Sequence, residues 1–282
     1  MSSAASGLKR SLLYVPAVNA RALEKARELP ADVVIIDLED SVGPESKDQA
    51  RAAAVAALRL GFPGKTVALR CNGLDTPFGA ADMRAAVEAR PDVVVLPKVA
   101  GPEVLHAVTR GIGQEIRLWA MIESCQALLR LAEIASSAKT TALSALLVGT
   151  NDLAFEMRCR TGHDRAPLIP ALSLVVVAAR AFALSPLDGP FNDYQDHGGF
   201  EGQCRQATEL GFDGKSCIHP SQVEAANRAF SPTAGAIAWA RAVIAAFEAN
   251  PKAGVIPVDG KMVERMHLTE ARAIAAFVLK QG

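Results

Sequence analysis

The chain has 282 residues, half of them hydrophobic, and its 30 basic and 30 acidic side chains cancel to a net charge of zero. That length suits one large α/β barrel or two modest domains. The balanced charge argues against a nucleic-acid binder and against adhesion to an acidic membrane surface, and favours a small-molecule partner. No apolar segment follows the polar stretch Met1 to Arg10 and no run reaches membrane-spanning length, so a soluble, cytoplasmic protein is expected.

In chain order, short apolar runs end in a charged residue about every thirty positions, each followed by a stretch with helical spacing. Residues 11–15 precede a helix at 21–28. Residues 33–36 run into Asp37 (helix 47–60), 67–69 into Arg70 (helix 80–89), and 93–96 into Pro97-Lys98 (helix 103–110). Residues 118–122 end at Glu123 (helix 126–135), and 145–149 lead to Asp152 (helix 172–183). Residues 185–187 lead to Asp188 (helix 201–210), and 214–218 to His219 (helix 222–230). Continuous apolar runs are what strands buried on both faces look like. Eight of them alternating with helices predict an α/β protein, a (β/α)8 TIM barrel over residues 1–230. A doubly wound open sheet is the rival, but Tyr14-Val15-Pro16-Ala17 is not the glycine-rich phosphate turn it would normally carry. After Phe230, Ser231-Pro232 breaks the helix, and residues 231–282 are expected to form a C-terminal helical arm with helices at 236–249 and 266–279. Such an arm often packs on a neighbouring subunit, so a homo-oligomer is expected.

Charges gathered at the C-terminal ends of barrel strands are where an active site belongs. Glu123 and Asp152, with no His or Cys ligand near them, suit a hard ion such as Mg²⁺ that completes its shell with water and substrate oxygens. They could equally accept hydrogen bonds from loop backbone. Arg70 offers a planar fork for a carboxylate or a developing oxyanion, or else a salt bridge to Asp37 or Glu39. Asp37-Leu38-Glu39-Asp40 could hold metal-bound water, orient Arg70 and Lys47, or cap the next helix. Lys98 raises a Schiff-base mechanism, which a metal route to the same chemistry makes the weaker reading. Lys215 and His219 are positioned to meet a phosphate or carboxylate, with helix capping as the alternative for His219. His106, His163, His197 and His267 lack zinc-site spacing, and the five cysteines are read as reduced packing residues.

The segments Arg10-Ser11-Leu12-Leu13-Tyr14-Val15-Pro16-Ala17, Asp37-Leu38-Glu39-Asp40-Ser41-Val42, Arg70-Cys71-Asn72 and Leu96-Pro97-Lys98-Val99 occur in that order. Met121-Ile122-Glu123-Ser124, Gly149-Thr150-Asn151-Asp152-Leu153, Asp188-Gly189-Pro190-Phe191-Asn192-Asp193 and residues 211–222 follow. Jointly they resemble the citrate lyase β-subunit-like CoA-ester lyases, which include malyl-CoA and citramalyl-CoA lyases. The resemblance implies a trimeric or hexameric barrel that cleaves a 3-hydroxyacyl-CoA thioester to acetyl-CoA and a 2-oxoacid. It implies Mg²⁺ on Glu123 and Asp152 and Arg70 on the substrate; with the strand-end charges, Arg70 and Asp37 are expected to be catalytic, and substrate contacts are expected from Arg70, Glu123, Glu39, Lys98 and Asp188. In that family an acidic residue of the C-terminal arm acts as acid/base in a neighbouring subunit's site, within G-x-M-[VI]-D. Here the segment is Gly260-Lys261-Met262-Val263-Glu264, so Glu264 takes that role with a side chain one methylene longer. A metal-dependent aldolase on a free hydroxy-oxoacid, and a citrate lyase β-type subunit acting on an acyl-carrier-protein thioester, are the alternatives.

Overall fold

The structure is a computed structural model and describes residues 8–162 and 164–279. Eight strands and the helices between them build the first of two compact units, Met1–Phe230. In order these are β1 (Ser11–Pro16), α1 (Ala20–Glu28), β2 (Val33–Asp37), α2 (Lys47–Leu60), β3 (Thr66–Arg70), α3 (Gly79–Ala89), β4 (Val93–Leu96) and α4 (Pro102–Ile112). Then come β5 (Arg117–Ile122), α5 (Cys125–Leu129), α6 (Leu131–Ser136), β6 (Leu143–Val148), α7 (Thr150–Glu156) and α8 (Ile169–Ala181). β7 (Ser185–Asp188), α9 (His197–Leu210), β8 (Gly214–Cys217) and α10 (Val223–Ala229) finish the unit. All neighbouring strands pair in parallel, and β8 pairs with β1 to close the barrel. Gly214 sits at that seam: a Cβ there would lie 1.6 Å from the carbonyl oxygen of Lys9. The eight-stranded (β/α)8 TIM barrel expected from the alternation is therefore the fold.

Side chains alternate between the two faces of a strand, and here this divides the core in two. Leu12, Val33, Ile35, Ala68, Trp119 and Leu147 belong to a cluster that fills the barrel interior. Their neighbours Leu13, Val34, Ile36, Leu69, Leu118 and Leu146 join a larger cluster under the helices. Carried one residue past the apolar run, the interior face falls on Asp37, Arg70, Glu123 and Gly149. The outward face falls on Asp188, since Leu187 is interior, and on Lys215, since Cys217 packs with the helices.

Some elements differ from expectation. The helix expected at 126–135 is two, broken at Arg130, whose guanidinium bonds Glu103 and Glu133. An extra helix, α7, follows β6 directly and carries Asp152 in its first turn. The second unit, Ser231–Gly282, holds α11 (Ala234–Ala249), α12 (Arg265–Leu279) and, between them, an unexpected hairpin of β9 (Val255–Val258) and β10 (Lys261–Glu264). Its turn, Asp259-Gly260, has both residues at positive φ (48° and 75°). Asp-Gly between apolar runs is a strong hairpin signal that the helical reading passed over. The span Pro220–Ala249 has the length and hydropathy of a membrane crossing, contrary to the first reading. Ser231-Pro232 splits it into α10 and α11, and α10 packs against β1 and α9.

Candidate active site

At the C-terminal mouth of the barrel a cavity of about 400 Å³ is lined by Asp37, Asp40, Arg70, Glu123 and Asp152 together with Tyr14, Thr150, Asn151 and Asn192. Four of the sequence-selected residues, Asp37, Arg70, Glu123 and Asp152, thus meet in one place.

Arg70 Nε and Nη2 donate to the two oxygens of Asp37, both at 2.7 Å, and Nη1 donates to Asp40 at 3.3 Å. The guanidinium also lies over the Tyr14 ring, 5.0 Å from its centroid. Asp37 further accepts from the Glu39 N–H at 2.9 Å and from the N–H and hydroxyl of Ser41. Burial alone would raise the Asp37 pKa, but these bonds and the Arg70 charge hold it below the usual carboxylate range. Asp37 is therefore an ionised anchor for Arg70, with no free lone pair for the role of a base. The bonds use three of Arg70's five N–H groups.

Glu39 lies 2.9 Å from Arg70 Nη1 through Oε2, yet that buried oxygen makes no hydrogen bond. Burial pushes its carboxyl up to about 8 against the pull of Arg70, with help from Asp40, Glu123 and Asp37. Lys47 Nζ donates to Leu38 O, Glu39 O and Asn72 Oδ1 at 2.7–2.8 Å, tying the whole β2 loop to the top of the barrel.

Glu123 Oε1 accepts from the backbone N–H of Lys98 at 2.6 Å. Lys98 reaches this position in a left-handed conformation, φ 51°. The side chain of Lys98 is exposed, so its contribution to the site is the peptide N–H and not the ammonium. On the other side Gly149 leaves room: a Cβ there would stand 2.2 Å from Glu123 Oε2. Burial raises the Glu123 carboxyl to about 7; the Lys98 N–H works against this, the Asp152 charge adds to it, and Arg70 lowers it.

Among the described residues no cluster of three or more His, Cys, Asp and Glu side chains could hold a metal ion. The Glu123–Asp152 pair nonetheless fits a hard divalent cation. Both donors are carboxylates on the same cavity, and Gly149 clears space beside Glu123 Oε2.

Two expectations are corrected, and for His219 the capping alternative holds. Asp188 does not reach the cavity: it is fully buried, with Arg165 Nη1 at 2.8 and 3.0 Å and Lys215 Nζ at 2.7 Å, because its position in β7 turns it toward the helices. Lys215 is consumed in the same cluster. His219 caps the turn after β8, its ring nitrogen accepting from the Ser221 N–H at 3.2 Å, and stacks on Tyr194 at 4.6 Å. Glu264 ends β10 in the second unit and is exposed. His163 lies outside the described residues. Tyr14, Gly149 and Arg165 were passed over in the sequence. Strand parity would have found the first two, Tyr14 alternating with Leu12 and Gly149 with Leu147; no local signal marks Arg165.

The sequence profile of the HpcH/HpaI aldolase/citrate lyase family matches residues 10–220. The chain belongs to that family. It is 42% identical over 278 residues to the (3S)-malyl-CoA thioesterase of Cereibacter sphaeroides, covering 95% of this chain and 96% of the relative. It is 33% identical to the L-malyl-CoA/beta-methylmalyl-CoA lyase of Rhodobacter capsulatus, covering 95% and 93%. Among solved structures, the protein CitE from Mycobacterium tuberculosis in complex with magnesium, acetoacetate and coenzyme A superposes with a TM-score of 0.80 at 28% identity, covering 96% of this chain and 98% of that one.

Proposed function

We propose that the protein is a Mg²⁺-dependent enzyme that acts on the CoA thioester of a short 3-hydroxy acid of the malyl type and cleaves it between carbons to acetyl-CoA and a 2-oxoacid. The observation that carries this is the cavity in which Glu123 and Asp152 share a wall with Arg70.

Glu123 and Asp152 would hold the ion, and bound there it would polarise the hydroxyl and carboxylate oxygens of the substrate. Arg70, fixed by Asp37, presents its charge to the oxygen that becomes the 2-oxo group. The geometry is preorganised, because Lys47 and Ser41 immobilise the loop that immobilises Asp37. Cleavage releases the proton of the substrate hydroxyl and leaves an acetyl-CoA enolate that takes one up, and Glu264 from a second copy is the proposed acid/base group that accepts the first and supplies the second.

Thioester hydrolysis is the second reading, favoured by the 42% identity to a malyl-CoA thioesterase. A covalent route to hydrolysis is disfavoured, because the cavity wall carries no His or Cys and its serine hydroxyl, Ser41, already donates to Asp37; hydrolysis there would need a water activated by a wall carboxylate. Purified protein incubated with malyl-CoA and Mg²⁺ separates the two. Acetyl-CoA with glyoxylate supports cleavage; malate with free CoA overturns it in favour of hydrolysis, and no turnover on any malyl-type thioester overturns both.

A further inference from the structure

The carboxylates that surround the Arg70 guanidinium hold it unequally. Asp37, fully buried, takes Nε and Nη2 in two bonds of 2.7 Å. Nη1 has two other carboxylates beside it. Glu39 Oε2 is 2.9 Å away, buried and without a hydrogen bond, whereas Asp40 Oδ2 accepts at 3.3 Å and belongs to a side chain that is 64% exposed. The bond to Asp40 is the longest of the three that Arg70 donates to carboxylates, and the one whose acceptor is open to water.

The backbone on either side of Asp40 is fixed. The N–H groups of Glu39 and Ser41 donate to Asp37, as does the Ser41 hydroxyl, and Lys47 Nζ holds the Glu39 carbonyl. Among the described residues, Arg70 is the hydrogen-bond partner of the Asp40 carboxylate, so this side chain can leave without disturbing the loop. Arg70 and Asp40 both line the main cavity, with Glu123 and Asp152. A long bond to an exposed carboxylate contributes little, because water competes for both groups. Breaking the short buried pair with Asp37 would instead strand a buried charge. An anionic ligand oxygen placed on Nη1 while Asp40 stays there would set two like charges against each other at close range. The two acceptors therefore exclude one another, and Asp40 is the partner that yields.

We propose that Asp40 is a displaceable stand-in for the substrate: its carboxylate occupies the place on Arg70 Nη1 that an oxygen of the 2-oxoacid part of the substrate takes when it binds. This rests on the proposed role of Arg70 at the oxygen that becomes the 2-oxo group. Asp40 then sets affinity by competition. It keeps the guanidinium paired in the empty site, and every ligand must exchange one carboxylate contact for its own.

The test is glyoxylate binding by calorimetry in saturating Mg²⁺, for wild type, Asp40→Ala and Asp40→Asn, repeated at about 0.5 M KCl, where the screening length is about 4 Å. Asp40→Ala removes both acceptor and charge; Asp40→Asn removes the charge and keeps an oxygen for Nη1. Asp40→Ala is expected to tighten glyoxylate by about two- to fivefold, the worth of an exposed ion pair, and Asp40→Asn by less, in a ranking that persists at high salt. A gain of affinity is not something poor folding imitates. Unchanged or weaker binding by Asp40→Ala overturns the exchange, because Asp40 then does not compete with the ligand. Equal tightening by both variants also overturns it, since the effect is then charge acting across the cavity rather than occupancy of Nη1. If wild type and variants bind Mg²⁺ but no glyoxylate, the proposed function itself fails and the exchange with it.

Discussion

Asp37 and Asp188 are both strand-terminal aspartates, 1% and 0% exposed, and each is locked to an arginine by two short hydrogen bonds. Asp37 follows the interior face of β2, so its arginine partner opens into the 400 Å³ cavity beside Glu123. Asp188 follows the outward face of β7, so its carboxylate is consumed between barrel and helices by Arg165 and Lys215. A charge at a strand end is thus a poor indicator of a site until the strand's parity is counted. One residue of register turns the same side chain from cavity wall to internal strut.

The largest expected effect breaks the cavity side alone. Glu123→Gln should lower turnover by at least about 10²-fold and abolish the Mg²⁺-dependent rise in melting temperature, with the metal-free fold unchanged. Retained Mg²⁺ stabilisation would remove Glu123 from the metal pair. Gly149→Ala sharpens the point, because its Cβ competes with Glu123 Oε2 for space. A weakening of Mg²⁺ affinity by about 10- to 100-fold, read by calorimetry, is expected.

The strut should behave in the opposite way. Asp188→Ala leaves two buried cationic groups without their carboxylate, so stability in chemical denaturation should fall by about 3–5 kcal/mol. The folded fraction should keep its Mg²⁺ affinity. A variant with full stability and lost Mg²⁺ binding would return Asp188 to the active site, where its place at a strand end had put it.

Acid and base distinguish the two sides again. Glu39 and Glu123 have folded-state values raised from 4.5 to about 8 and about 7, so they hold protons that the unfolded chain has released. Their contribution to stability is complete below about pH 4.5 and is lost as pH rises through about 7 and then about 8. The melting temperature of the metal-free protein should therefore fall between about pH 5 and 8.5 by at least about 2 °C, and saturating Mg²⁺ should remove the part due to Glu123. Asp37 and Asp188 are held low, so their contributions are lost only in acid, below the ordinary carboxylate range. A flat metal-free profile would mean that neither glutamate is protonated at pH 5.

The apolar runs made the barrel legible, because continuous burial on both faces leaves an unmistakable composition in Val33-Val34-Ile35-Ile36 or Val93-Val94-Val95-Leu96. Arg70, Glu123 and Asp152 were legible as charges ending those runs. Three things were missed. Arg165 sits in an irregular loop where no period exists to predict its burial. The β9–β10 hairpin was masked by the apolar helices around it. And Gly149 matters through an atom it lacks, which no reading of side-chain chemistry reveals.

The smallest expected effect concerns Lys98, the residue whose side chain first suggested a Schiff base. Only its peptide N–H touches Glu123, at 2.6 Å, and its ammonium is exposed. A desolvated amine is what imine chemistry requires, and this one is solvated. Lys98→Ala keeps the N–H and should change turnover by no more than about threefold, and borohydride added with a 2-oxoacid should not inactivate the wild type. Lys98→Gly relaxes the left-handed backbone at φ 51° and should retain activity as well. Lys98→Pro deletes the donor and cannot adopt that φ, so it should lose Mg²⁺ binding along with Glu123's orientation. Loss of activity in the alanine variant with Mg²⁺ affinity intact would show that the ammonium, rather than the peptide, does chemistry at this rim.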